Sequence, residues 1–160
     1  MIFLDTSVLV AIAQVDHVHH VPSQELWNRC RAKETAASAH TLAEFYSSVT
    51  SMPQGIRVSG SDAMLALEVF LRRIVPIALT SNEYIETLQS CATSGLTGGT
   101  IYDALHIACA HKSSAERIYT WNLRHFRRVA PDLAGRIVEP GQDESLEVES
   151  EGDDDLVGFP

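Results

Sequence analysis

Residues 2–13 read Ile2-Phe3-Leu4-Asp5-Thr6-Ser7-Val8-Leu9-Val10-Ala11-Ile12-Ala13, and the fold turns on how this stretch is read. Three large apolar residues stop at Asp-Thr-Ser, and a second apolar run follows. The first run is too short for a helix and reads as a buried strand. The polar triplet reads as the start of a helix continuing over Val8–Ala13. The same alternation recurs downstream. Strands are predicted over Ala36–Ala39, Ile74–Leu79, Arg117–Trp121 and Arg136–Val138. Helices are predicted over residues 21–31, Thr41–Met52, Ala63–Arg72, Thr80 to about Ala92, Thr100–His111 and Leu123–Val129. Thr80 and Glu83 form a capping box, Pro53 and Gly55 close a helix, and Gly95–Gly99 is a glycine-rich loop. Strands alternating with helices predict an α/β fold with a parallel sheet. Ligands of such sheets bind beyond the carboxyl ends of the strands, where Asp5 and Asn122 fall.

Length bounds the rest. At 160 residues the chain is one domain. Its net charge of −9, from 21 acids and 12 bases, taken whole opposes a nucleic-acid partner. The charge is not evenly spread. Residues 141–160 hold eight acids and no base, and read as a solvated, disordered tail. Taking those eight from 21 leaves 13 acids against 12 bases, so a domain over residues 1–140 is close to neutral. Cys30, Cys91 and Cys109 match no metal or redox spacing and read as thiols in a reducing compartment. The N-terminal run has no basic leader and Asp5 interrupts it; no run approaches the ~20 apolar residues of a membrane span. A soluble cytoplasmic protein is expected.

The bases of the core gather late in the chain. Arg124, Arg127 and Arg128 lie at i, i+3 and i+4 on one helix face, with Trp121 and His125 beside them as stacking groups. A phosphate-binding strip and a solvated helix face both fit this pattern.

The carboxylates divide in the same way. Asp5 fits a helix N-cap or a metal ligand on a rigid strand end. Glu44 stands three residues after Thr41 and fits a capping or solvated role, away from the Leu42, Phe45, Val49 stripe. Asp103, three residues after Thr100, fits another capping box. Its helix, however, is apolar almost all round and therefore buried, and a buried carboxylate needs a partner or a metal. Asn122 fits a cap or an active-site amide. The Asp16-His17-Val18-His19-His20 run lacks the further ligands of a zinc site and reads as a polar loop. His106, one turn after Asp103, reads as a packed or hydrogen-bonded histidine, with support of Asp103 as the lesser alternative.

Taken in order, four stretches carry more than their parts: Ile2-Phe3-Leu4-Asp5-Thr6-Ser7-Val8-Leu9-Val10, Thr41-Leu42-Ala43-Glu44-Phe45, the run from Gly98 to Ala110 (GGTIYDALHIACA), and the run from Ile118 to Phe126 (IYTWNLRHF). Over about residues 2–138 this order resembles the PIN-domain family, and most of all its VapC-type toxin ribonucleases from bacterial toxin–antitoxin pairs. The resemblance implies a three-layer α/β/α sandwich around a parallel sheet, and Mg²⁺- or Mn²⁺-dependent cleavage of RNA. It implies that Asp5, Glu44 and Asp103 are the catalytic metal-binding acids, and that Asn122 occupies the fourth catalytic position. Thr6 and Thr120 match the supporting hydroxyls. It further implies an RNA substrate, a small antitoxin partner that covers the site, and a homodimer.

Divalent metal suits this chemistry because it activates water and stabilises the leaving oxygen, and Mg²⁺ prefers carboxylate oxygen. On this reading Asp5 and Asp103 hold the principal ion, Glu44 orients or deprotonates the attacking water, and Arg124, Arg127 and Arg128 hold the RNA backbone. Two departures stand out. Asn122 supplies no charge, and His125 stands where many relatives carry an acid before the phenylalanine. They leave open a catalytically weak PIN-like module that binds RNA or protein. A haloacid-dehalogenase-like phosphatase also begins with a strand-end Asp but needs an acid two residues on, where this chain has Ser7.

Overall fold

The computed structural model of the chain describes residues 1–142; the stretch expected to be a disordered tail lies outside them from residue 143 onward. Five strands, β1 (Ile2–Leu4), β2 (Thr35–Ser38), β3 (Ile74–Ile77), β4 (Arg117–Tyr119) and β5 (Ile137–Val138), form one sheet in the order β3-β2-β1-β4-β5. Every pairing in it is parallel. The described helices are α1 (Thr6–Ala13), α2 (His20–Arg29), α3 (Ala39–Thr50), α4 (Gly60–Leu71), α5 (Ser81–Thr93), α6 (Thr100–Lys112) and α7 (Leu123–Val129), with a 3₁₀ turn at Pro131–Leu133.

The strand pleat sends successive side chains to opposite faces and so defines three layers. Leu4, Ala37, Ile74 and Tyr119 face one way, into a core with Val8 and Leu9 of α1, Leu26 of α2, Phe45 of α3 and Phe70 of α4. Phe3, Ala36, Ile118 and Ile137 face the other way, against Ile107 and Ala110 of α6 and Phe126 of α7. The expected α/β/α sandwich is therefore what forms. Parallel strands buried on both faces need no polar alternation, which explains the unbroken apolar run at Ile2-Phe3-Leu4.

Local signals set the helix ends. Thr80 and Glu83 make the predicted capping box, with Thr80 N–H donating to the Glu83 carboxylate at 2.6 Å. Gly95, at φ +67°, closes α5; Leu96 N–H returns to the Cys91 carbonyl at 2.9 Å, an arrangement that favours glycine. Two predicted caps are corrected. Helix α3 begins before Thr41 and is capped by Ser38, whose Oγ accepts from Thr41 N–H at 3.0 Å. Helix α6 starts after Gly99 with no side-chain cap. Glu44 and Asp103 are thus released from capping.

Strand order reverses at β1: the chain fills β1, β2 and β3 outward on one side, then crosses to β4 and β5 on the other. In open α/β sheets a crevice opens beyond the carboxyl ends at such a reversal. Here it opens between the ends of β1 and β4, which Asp5 and Thr120 directly follow.

Candidate active site

Asp5 follows β1 directly and is 3% exposed. Its Oδ2 accepts from Ser7 Oγ at 2.6 Å, from Thr120 Oγ1 at 2.8 Å, and more weakly from Ser7 N–H at 3.4 Å, which caps α1. Both hydroxyls relay backbone beyond β4. Trp121 N–H donates to Ser7 Oγ at 3.0 Å and Asn122 N–H to Thr120 Oγ1 at 2.9 Å. The two strand ends flanking the crevice are therefore fastened together through one carboxylate oxygen. Among the described residues nothing hydrogen-bonds to the other oxygen of Asp5.

Glu44 lies in the second turn of α3. Its Oε2 accepts from Thr6 Oγ1 and from His106 Nε2, the latter at 2.9 Å, and His40 Nε2 stands 3.4 Å from Oε1. His106 is 2% exposed, and its Nδ1 meets Ser38 Oγ at 2.8 Å. The residue that caps α3 thus also braces the histidine that holds Glu44. Asp103, in the first turn of α6, makes no hydrogen bond among the described residues; His125 Nδ1 approaches it at 3.8 Å.

The charges respond to this crowding. Burial raises the Asp103 pKa, and the negative charge of Asp5 raises it further, against weaker opposition from His125 and His106. Burial acts to raise Glu44 as well, but hydrogen bonds from His106 and Thr6 outweigh it and the net shift is downward. For His106 burial acts to lower the pKa; the Glu44 bond and the charges of Asp5, Glu44 and Asp103 overcome it, so the imidazole ends above its ordinary value. Glu44 and His106 stabilise each other's charged forms, while Asp103 is left as the strained acid.

Asp5, Thr6, Glu44, Asp103, His106 and Asn122 line one open cleft of about 820 Å³, with His17, His19, His40 and Trp121 toward its rim. Of the sequence-derived site residues, only Thr120 and the three arginines are not on this lining: Thr120 is buried beneath Asp5, and Arg124, Arg127 and Arg128 are exposed on α7. Arg127 is also tethered, donating to the Ile137 carbonyl at 2.9 Å. His106 is the packed, hydrogen-bonded histidine expected from the sequence, but the carboxylate it serves is Glu44 and not Asp103. Sequence reading missed Ser7 and Ser38; the histidines before α2 do lie in the expected polar loop, and the structure adds that His17 and His19 reach the cleft rim.

The donor set fits a hard divalent cation. Three carboxylates face one cleft, Asp5 and Asp103 keep oxygens clear of protein donors, and crowding leaves Asp103 short of positive charge. No group of three such side chains among the described residues stands at ligand spacing by itself; an ion bound here would need water for part of its shell, which Mg²⁺ readily keeps.

The PIN domain family model matches residues 2–131, and the chain belongs to that family. Ribonuclease VapC27 of Mycobacterium tuberculosis is 32% identical over 113 residues, 71% of this chain and 79% of that protein. Among solved structures, VapC20 of the same organism, described as a sarcin-ricin loop cleaving toxin, superposes with a TM-score of 0.63 at 18% identity, over 76% of this chain and 90% of its own. VapBC2 of Rickettsia felis, solved with a DNA fragment from its promoter, gives a TM-score of 0.55 at 23% identity, over 81% of this chain and 93% of its own. These two structural likenesses speak to the fold.

Proposed function

We infer that this chain is a ribonuclease that hydrolyses RNA phosphodiester bonds with Mg²⁺ or Mn²⁺, and that it is the toxin of a toxin–antitoxin pair. The observation that carries this reading is the convergence of Asp5, Glu44 and Asp103, from three distant segments, in one cleft at the strand-order reversal. The relationship to a named ribonuclease supports the same conclusion.

Asp5 and Asp103 would hold the principal ion, with Glu44 completing the acidic set. The ion supplies Lewis acidity and charge neutralisation at the phosphate. The protein does the positioning. Thr120 and Ser7 fix Asp5, while Thr6 and His106 fix Glu44. Glu44, held by Thr6 and His106, would orient or deprotonate the attacking water. Asn122, exposed at the cleft edge, offers an uncharged amide to the phosphate or to water. Arg124, Arg127 and Arg128 extend the contact to RNA backbone outside the cleft.

A small antitoxin that covers the cleft is the partner this reading requires. A homodimer is supported by exposed Met64, Leu65 and Val69 on α4. No helix among the described residues is long and apolar enough to cross a membrane, and a cytoplasmic site of action suits an RNA target.

The test is RNA cleavage by purified protein with Mg²⁺ or Mn²⁺, beside Asp5→Asn, Asp103→Asn and a chelator control. Cleavage should vanish in all three. Variants that cut as well as the parent would overturn the assignment. RNA binding that survives the chelator, from a protein that never cuts, would favour the catalytically weak binding module.

A further inference from the structure

At the rim of the cleft the His19 imidazole lies flat on the Trp121 indole, with ring centroids 3.8 Å apart and planes 7° from parallel. Aromatic side chains in proteins usually meet offset or edge-on, at about 4.5–7 Å between centroids. This pair is instead face to face, the way a nucleobase stacks on a ring.

The two rings are held very differently. Trp121 is bolted down: its Nε1–H donates to Ser23 Oγ at 2.9 Å, Ser23 is fully buried, and its backbone N–H donates to Ser7 Oγ, which itself donates to Asp5. One hydroxyl therefore separates the indole's backbone from the carboxylate at the centre of the site. The His19 ring makes no hydrogen bond among the described residues, and its other ring contact is a tilted one with His17 at 5.5 Å. It stands just before α2 in a turn and contributes no side-chain cap. The pair across the cleft offers a contrast. His40 lies parallel to Tyr102, but at 5.4 Å, and it is also engaged by Glu44. Among the described residues, only the His19 imidazole combines so close a parallel stack with no polar anchor for its ring.

We propose that Trp121 is the platform on which the RNA base next to the scissile phosphate stacks, and that His19 occupies the platform until a base displaces it. This rests on the ribonuclease reading and specifies how that site grips its substrate. An indole stacks on any base through its π-face and tolerates sequence change. The base must first be unstacked from its neighbours, so the platform selects single-stranded or looped-out nucleotides over a continuous duplex. Trp121 binds the base and takes no part in the bond changes.

The experiment uses single-stranded RNA oligomers carrying 2-aminopurine at successive positions, with Asp103→Asn protein to keep them uncut. One position should be quenched on binding. Trp121→Ala should abolish that quenching, and Trp121→Phe should restore it in part. In protein with Asp103 intact, Trp121→Ala should raise KM by roughly ten- to a hundredfold, with kcat changed far less. His19→Ala, which removes only the competing ring, should leave KM equal or lower. Trp121→Phe also covers the chance that the alanine variant folds poorly, because it keeps a ring in the core-facing position. Unchanged KM in Trp121→Ala, quenching at no position, or a higher KM in His19→Ala would each sink the proposal while cleavage by the parent leaves the nuclease reading standing. A parent that neither binds nor cuts any RNA would remove both.

Discussion

Thr120 gives the sharpest test of how the fold builds the site. It is fully buried, and its hydroxyl does two things at once: it donates to Asp5 Oδ2 at 2.8 Å and accepts from Asn122 N–H at 2.9 Å. Thr120→Val keeps the shape and removes both bonds. A hydrogen bond to an ionised group contributes about 1.5–3 kcal/mol. The stranded Asn122 N–H adds a smaller cost, because Asn122 is exposed and water can reach it. The expected loss is about 2–4 kcal/mol. For a domain of this size roughly 3 °C of melting temperature follows each kcal/mol, so Tm should fall by about 6–12 °C. Thr120→Ser keeps the hydroxyl and gives up one methyl, a cost of about 1 kcal/mol. Thermal and urea unfolding of the three proteins in a chelator would measure the difference. Cleavage should follow the hydroxyl, falling tenfold or more in the valine variant and little in the serine variant, because an acid displaced by a fraction of an ångström no longer meets the phosphate correctly. If valine and serine variants are equally stable, the hydroxyl bridge contributes nothing. If valine destabilises but cleaves normally, the bridge is structural alone.

Other outcomes follow from the charges. Asp103→Asn should stabilise the metal-free protein at neutral pH, since a raised carboxylate pKa means the fold disfavours the ionised form; the gain should disappear below the unfolded pKa of Asp, and a variant no more stable than the parent at pH 7 would contradict it. The Glu44–His106 pair should impose a stability plateau in metal-free protein. The contribution of Glu44 is lost as pH falls through its depressed folded pKa, and that of His106 as pH rises from its unfolded value of 6.5 through its raised folded pKa. His106→Gln should flatten the alkaline side of that profile, as read by urea midpoints across pH. Adding Mg²⁺ should raise the Tm of the parent, by about 2.7 kcal/mol of stability at a hundred times Kd, and should leave Asp103→Asn unmoved; equal shifts in both would place the ion elsewhere.

Asp5 was legible in the sequence because a strand ending in an acid and running into a helix is a local pattern. Asp103 was half legible: the apolar surroundings of its helix gave the burial, but Thr100 mimicked a cap that does not form. Glu44 was ambiguous until motif order was considered, because what fixes it, His106, lies 62 residues away. The His19–Trp121 contact spans two unrelated loops and has no periodic signature at all. The strands are three or four residues long at the site, too short to display a period of two. Which face each side chain takes emerged only with the pairing register. The two misread caps have one cause, since a Thr three residues before an acid is compatible with the middle of a first turn as well as with its start.

The same register has an evolutionary side. Ser38 ends β2 and runs into α3 with no intervening residue, Asp5 alone separates β1 from α1, and Thr120 follows β4 immediately. Insert or delete one residue at any of these junctions and an extended residue turns to the opposite face of the sheet, while the helix that follows is rotated by about 100°. At the far end of the sheet the connections are slacker, with residues 30–34 leading into β2 and 113–116 into β4. Length variation among descendants of this sequence should therefore collect at that end. The strand-to-helix junctions beside the cleft should drift by substitution alone, and a library of single-codon deletions scored for toxicity would draw that boundary directly.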